Sequence, residues 1–338
     1  MTVKIALDAM GGDHAPAMVI DGAIRSRAEN DDAEYILVGQ EDVIRTELTR
    51  HRFVEERIRI QPASEVVGMG DKPSIALRTK KDSSLRVGAN LVKSGVADAF
   101  VSAGNTGALM ATAKFVLKTL PGIDRPAIAS LLPRVGGQTL MLDLGANVDC
   151  TADHLCQFAL MGSVYSQEVL GIVAPRVGLL NIGQEEMKGN GIVREAGERF
   201  RQIIANYVGN VEGTDICFGD VDVIVCDGFV GNVSLKSIEG VAQMLSLSLK
   251  ESFAHSWLTK IGYLAAKPAL RRFRARVDHR KYNGAMLLGL NGVVVKSHGS
   301  ADAFGFSHAI QVAIELATNK VSEKIRSEVA KLHGARGI

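Results

Sequence analysis

Apolar residues follow two alternating rhythms along this chain. Short runs dense in Val, Ile and Leu ("VKIALDA", "AEYILVG", "IRIQPA", "ADAFVSAG", "AIASLLP", "TLMLDLG", "RVGLLNIG", "VDVIVCDG", "GVVVKSHG") read as strands covered on both faces. Between them, segments such as "AMVIDGAIRSRAE", "TGALMATAKFVLKTL", "ADHLCQFALMGSVYSQEVL" and "ADAFGFSHAIQVAIELATNKVSEKIRSEVAKL" repeat apolar residues at steps of three and four, which predicts helices laid on a sheet. The alternation predicts a Rossmann-like, three-layer α/β/α fold around a mostly parallel, mixed sheet. No internal repeat, low-complexity tract or linker interrupts it, so residues 1–338 are expected to form one domain with an excursion at 253–281.

Six of the strand candidates run into small or polar residues: "DAMGGD" at 8–13, "SAGNTG" at 102–107, "DLGAN" at 143–147, "NIGQEEMKGN" at 181–190, "DGFVGN" at 227–232 and "KSHGSAD" at 296–302. Ligands of open α/β sheets bind at the carboxyl ends of strands, so several of these loops are expected to face one cleft. In "SAGNTGA", Gly104 and Gly107 let the backbone approach a ligand, while Asn105 and Thr106 cap the following helix, whose free amides attract an anion. Phosphate, a carboxylate or an oxyanion all suit such a loop. Lys188, Asn232, Lys296 and His298 sit where charge would be managed: Lys188 as a ligand contact or a solvated surface lysine, His298 as an acid, a base or a brace of its loop. Asp8, Asp13, Asp143 and Asp227 are expected to tie loops and cap helices rather than bind a metal together.

Composition narrows the chemistry. A chain of 338 residues, 46% of them apolar, can bury a sizeable core, and a net charge of +2 is too small for wholesale nucleic-acid binding. No apolar run reaches the length of a membrane-spanning helix and the start lacks the order of a signal peptide, so a cytosolic address is expected. Cys150, Cys156, Cys217 and Cys226 form no CxxC pair and lie in or beside apolar runs, which predicts reduced thiols. There is no GK[ST] after the glycine loop, no GxGxxG with an acid about 20 residues on, and no HExxH, so nucleotide hydrolysis, a dinucleotide fold of the usual kind and metal catalysis lack support.

The segments "DAMGGDHAP", "ALRTKKDSSLRVGANLVKSGVADAFVSAGNTGALMA", "DLGANVD", "LLNIGQEEMKG", "DVIVCDGFVGNVSLK", "YNGAMLLGL" and "VVVKSHGSAD" resemble, in order, the bacterial phosphate acyltransferase family. The likeness runs from about residue 3 to beyond 310, and departs from the family at Leu85 and Gly70. It implies a fold near the isocitrate and isopropylmalate dehydrogenases and the phosphotransacetylases. It also implies transfer of a fatty acyl group from acyl carrier protein to inorganic phosphate, giving acyl phosphate for acylation of glycerol 3-phosphate in phospholipid synthesis, with no cofactor and no metal. Phosphate is already nucleophilic at neutral pH and a thiolate leaves readily, so positioning and charge stabilisation suffice without an activated serine. Lys188 and Asn232 are then the expected catalytic residues, serving the phosphate or oxyanion and the carbonyl oxygen. Asp8, Gly11, Gly12, Ser102, Gly104, Asn105, Thr106, Gly107, Asn147, Asn181, Lys296, His298, Gly299 and Ser300 are the expected binding residues. A coenzyme A donor and a non-catalytic anion sensor at a membrane are the other readings.

The excursion "FAHSWLTKIGYLAAKPALRRFRARVDHRK" holds the only tryptophan and eight Lys or Arg against one Asp. Trp257, Leu258, Ile261 and Leu264 recur on one helical face, Pro268 is expected to interrupt it, and Leu270, Phe273 and Val277 continue the apolar stripe. Such a segment suits an anionic membrane surface, an acidic carrier protein or a second subunit. The resemblance implies a homodimer bound peripherally to the inner face of the cell membrane, near a membrane acyltransferase that uses its product.

Overall fold

Continuous apolar runs form strands here because helices cover both faces of the sheet, leaving no polar side for alternation to mark. The structure is a computed structural model that describes residues 2–30, 32–51 and 57–336, without the side chains of 274–277, 279 and 332–336. Its strands are β1 (Val3–Asp8), β2 (Ala33–Gly39), β3 (Ile58–Pro62), β4 (Ala99–Ser102), β5 (Ala127–Arg134), β6 (Gly137–Leu142), β7 (Val177–Leu180), β8 (Tyr207–Val211), β9 (Val223–Val225), β10 (Ala285–Leu288) and β11 (Val293–Lys296). All nine expected strands form, and β8 and β10 join them. The helices are α1 (Ala17–Glu29), α2 (Glu41–Leu48), α3 (Pro73–Thr79), α4 (Ser84–Lys93), α5 (Thr106–Leu117), α6 (Ala152–Glu168), α7 (Gly191–Ile203), α8 (Asp215–Phe218), α9 (Gly228–Ala254), α10 (Trp257–Val277), α11 (Ala303–Thr318) and α12 (Val321–Arg336). The long periodic stretch near the carboxyl terminus is two helices, broken where Lys320 takes φ +52°.

One sheet holds all the strands, in the order β3-β2-β1-β4-β11-β10-β5-β6-β9-β7-β8. Its pairings are parallel except β11 with β10, β10 with β5, and β5 with β6. Two parallel blocks, β3-β2-β1-β4-β11 and β6-β9-β7-β8, are therefore joined through β10 and β5, and they run in opposite senses by pairing.

On one face α1, α6, α7, α11 and α12 pack over a continuous core that includes Phe158, Tyr165, Phe200 and Phe306. On the other, α3, α4 and α5 cover the first block through Ala76, Leu85, Ala89 and Ala113, while Ile216 of α8 and the base of α9 cover the second. The mixed three-layer α/β/α architecture is as the alternation predicts. No cysteine is bridged among the described residues: Cys150, Cys156 and Cys226 are buried, and burial pushes the Cys150 thiol up to about 11.

The excursion is larger than expected. Only Gly228 and Gly231 of α9 are buried, and its 27 residues, about 40 Å of helix, leave the body well before residue 253. Ser256 starts α10 with a reciprocal cap on Thr259, and Phe253 meets Tyr263 edge-on at 5.4 Å, so α9 and α10 form a hairpin. Pro268 lies inside α10 rather than ending it. A proline removes one amide from the helical ladder, and on an exposed helix the freed carbonyl turns to water. The Val277 side chain lies outside the described residues.

Candidate active site

β1 delivers Asp8 to the interior, 1% exposed, where its carboxylate accepts from Ser102 Oγ at 2.7 Å and from the Met10 amide at 3.2 Å. Burial pushes the Asp8 pKa up, against bonds from Ser84 and Ser102. Ser102, ending β4, accepts in turn from the Gly104 amide at 3.0 Å. Gly11 is required because a Cβ there would overlap the Asp8 carboxylate. The Asp13 amide donates to Gly299 O at 2.8 Å, which fastens the loop after β11 to the loop after β1. Gly12 packs between Ala103 and Gly299. These three glycine loops thus form one cluster.

α5 starts at this cluster. Asn105 accepts from the Ala108 amide at 3.0 Å and donates to Met69 O and Asp71 O at 2.8 and 3.0 Å, so its side chain is fully engaged as cap and brace. Thr106 and Gly107 are exposed at the first turn, where backbone amides have no intrahelical acceptor. Lys296 ends β11 only 8% exposed, and its Nζ donates to Ala103 O at 3.1 Å and to Ser297 O. An ammonium carries three hydrogens, so one remains for a ligand. Burial pulls the Lys296 pKa down from 10.5 to about 8; the charges of Asp8 and Asp13 oppose this and that of Lys236 adds to it. His298 is exposed, with Nδ1 2.9 Å from Ser300 Oγ and 3.3 Å from the Ser300 amide, and its own amide donates to Asn283 Oδ1 at 2.9 Å.

The second block builds a different cluster. Asp143, fully buried after β6, accepts from the amides of Ile128, Gly145, Ala146 and Asn147 and from Asn147 Nδ2, at 2.7 to 3.3 Å. Asn147 spends its other amide hydrogen on Pro126 O at 2.8 Å. Asp227 caps α9 through the Val230 amide at 2.8 Å, and the Gly228 amide donates to Asn147 O at 2.8 Å. At Gly231 the Asp143 carbonyl occupies the place of a Cβ. This contact sets the next residue, Asn232, over Gly145, exposed and with no side-chain hydrogen bond among the described residues.

The register Leu142↔Val225↔Leu179 sets the loops after β6, β9 and β7 side by side. In the last of these Asn181 donates to Lys188 O at 3.1 Å and accepts from the Ile182 amide at 2.8 Å. Lys188 is exposed there, its amine in no ion pair among the described residues. Hydrogen bonds tie this loop to β8 and α7 through Asn210 and Arg194 rather than to the Asn232 cluster.

A residue that the sequence reading passed over relates the two clusters electrostatically. Lys236, four residues after Asn232 and so on the same face of α9, lies close enough to Lys296 for its charge to depress that pKa. The spacing from Asn232 was the available signal, and the Lys236 amine itself pairs with Glu239 at 2.8 Å. Among the described residues no three His, Cys, Asp or Glu side chains gather as metal ligands.

This arrangement can hold an anion against glycine-loop amides and a buried ammonium, and can offer free amide and amine donors from a second wall. The family described as "Fatty acid synthesis protein" matches residues 3–324. A phosphate acyltransferase of Magnetococcus marinus is 64% identical over 337 residues, covering 98% of this chain and 96% of its own. The chain belongs to the phosphate acyltransferase family. Another phosphate acyltransferase, from Paraburkholderia phytofirmans, is 55% identical over 96% of this chain and 89% of its own. Membership in the family makes the chain an acyltransferase. Among solved structures, a phosphotransacetylase from Streptococcus pyogenes superposes with a TM-score of 0.64 at 21% identity, covering 94% of each chain. A 4-hydroxythreonine-4-phosphate dehydrogenase from Klebsiella pneumoniae reaches 0.52 at 13% identity, over 94% of this chain and 100% of its own. At these identities the likeness is one of fold, and it places the family's sheet beside those of phosphotransacetylases and a dehydrogenase.

Proposed function

We propose that this acyltransferase moves a fatty acyl group from the thioester of acyl carrier protein to inorganic phosphate, forming acyl phosphate for phospholipid synthesis. The supporting observation is Lys296: a buried ammonium with one hydrogen to spare, set among glycine loops beside the open start of α5. Phosphate bound there loses water and gains charge-assisted bonds. A phosphate oxygen attacks the carbonyl carbon, the carbon–sulfur bond breaks, and the thiolate leaves to take a proton from solvent. Asn232, whose amide is free, donates to the oxyanion, with Lys188 supplying positive charge from the neighbouring loop. Neither cofactor nor metal enters this scheme.

The α9–α10 hairpin serves a surface in this reading. Trp257 is 70% exposed, and Leu258, Ile261 and Leu264 lie with it among cations. No described helix is long and apolar enough to cross a membrane. The hairpin suits peripheral attachment to the inner leaflet by a homodimer, near the membrane enzyme that consumes acyl phosphate.

Turnover tests the reaction. Purified protein with palmitoyl-acyl carrier protein and phosphate should release the carrier thiol only when phosphate is present, and hydroxylamine should trap the acyl phosphate. Release from palmitoyl-coenzyme A alone would transfer the activity to that donor. Release from neither donor, with phosphate still bound, would leave an anion sensor.

A further inference from the structure

Cations on several helices are engaged by carboxylates, as Arg45 is by Glu41, Arg199 by Glu195 and Asp153, and Lys324 by Glu168. The layer of α3, α4 and α5, like α10 of the hairpin, is built otherwise. These three helices contain no Asp or Glu and share one core. Arg78, Arg86, Lys93 and Lys114 along them, with Lys72 and Lys118 at their caps, enter no ion pair among the described residues. The adjacent carboxylates are occupied: Asp71 meets Lys80 at 2.6 Å, and Asp82 meets Ser64 Oγ at 2.6 Å. Phe115, 48% exposed, stands between the Arg86 guanidinium at 4.5 Å and the Lys118 ammonium at 4.9 Å from its ring centre. Ile75 and Val96 are exposed on the same layer. An aromatic and aliphatic surface set among unpaired cations has the composition of a protein-docking face for an acidic partner.

The layer is also fixed to the site. Gly107, two residues past the cap Asn105, packs against the Pro73 ring, and Asn105 holds Asp71 O, which anchors the start of α3 to the loop. From Thr106 to Phe115 is about 14 Å along the helix, a span that a tethered thioester can bridge. We propose that α3, α4 and α5 form the docking face for an acidic protein, the carrier that delivers the acyl thioester. This rests on the carrier-dependent reaction above.

The test is the double variant Arg78→Glu/Lys118→Glu, assayed with palmitoyl-acyl carrier protein and with palmitoyl-pantetheine, a donor without the protein. Electrostatic steering raises association rates by about 10- to 10³-fold, so the KM for the carrier substrate should rise at least about tenfold. Its kcat, and the KM for palmitoyl-pantetheine, should stay within about twofold, and the salt dependence of the carrier KM should flatten. An unchanged carrier KM, or an equal rise for both donors, would overturn the assignment. A rise seen instead in Arg271→Glu/Arg272→Glu on α10 would move docking to the hairpin. Wild-type protein that uses palmitoyl-pantetheine but not the carrier would defeat the carrier reading itself, and this face with it.

Discussion

Holding an ammonium in a protein interior is costly, and Lys296 shows both the cost and its use. A pKa near 8 instead of 10.5 corresponds to about 3 kcal/mol of stability forgone at neutral pH, where the charge is present in folded and unfolded states alike. Between those two values the folded state surrenders its proton first, so the unfolded state holds more protons and stability rises with pH. Phosphate binding at Lys296, as proposed, would have the opposite dependence, because it needs the charged form. In free enzyme kcat/KM for phosphate should therefore fall as pH rises through about 8, while kcat at saturating phosphate should hold to higher pH because the bound anion lifts the lysine pKa. Steady-state profiles from pH 6.5 to about 9.5 check this, and a flat kcat/KM over that range would remove Lys296 from phosphate binding. The sequence marked Lys296 and Asn105 alike as polar residues at strand ends. It did not show that Asn105 spends its amide on Met69 and Asp71 while Lys296 keeps a hydrogen, since both facts depend on chain segments distant in sequence.

At the scale of elements, strands covered on both faces were legible because burial leaves unbroken apolar runs. β8 escaped notice because Gly209 at φ +100° interrupts a five-residue strand, and β10 because "AMLL" is short and lies in the antiparallel centre of the sheet. The length of the α9–α10 hairpin escaped for another reason. Val241, Met244, Leu245 and Leu247 of α9 are apolar yet exposed, so their pattern describes a surface meant for something other than this chain's core. If that something is lipid, Trp257→Glu and Leu258→Glu should each cut binding to vesicles rich in anionic phospholipid by about tenfold or more, since each puts a charge in place of an apolar side chain whose burial in the bilayer is worth roughly 1.5–3 kcal/mol. Turnover of a soluble donor should remain near normal, because both residues lie far along the hairpin from Asn232. Flotation with vesicles measures the first and the thiol assay the second. Undiminished vesicle binding would leave the hairpin to subunit contact.

At the scale of the molecule, the sheet divides the labour. The first block contributes the three glycine loops, α5 and Lys296, all suited to an anion, while the second contributes Asn232 over Asp143's rigid hub and, on a separate loop after β7, the exposed Lys188. The six loops were legible one by one. Their division between two opposed parallel blocks was not, because it follows from the antiparallel pairings of β10 and β5 at the centre of the sheet. That division predicts different kinetic signatures from the two sides. Lys296→Met should raise the KM for phosphate by about 10- to 100-fold, the loss of a charged hydrogen bond being worth about 1.5–3 kcal/mol, with little change in the KM for the acyl donor. In the proposed role Asn232 acts only on the developing oxyanion, so Asn232→Ala should lower kcat by about 10²- to 10³-fold while both KM values stay near those of the parent. Lys188→Ala should resemble Asn232→Ala if its amine faces the oxyanion, and Lys296→Met if it faces phosphate. Initial rates over a grid of phosphate and donor concentrations separate these cases, provided circular dichroism shows each variant folded. Should Asn232→Ala raise the phosphate KM and spare kcat, the second block would be an anion wall too, and the source of oxyanion stabilisation would have to be sought among the amides of the first.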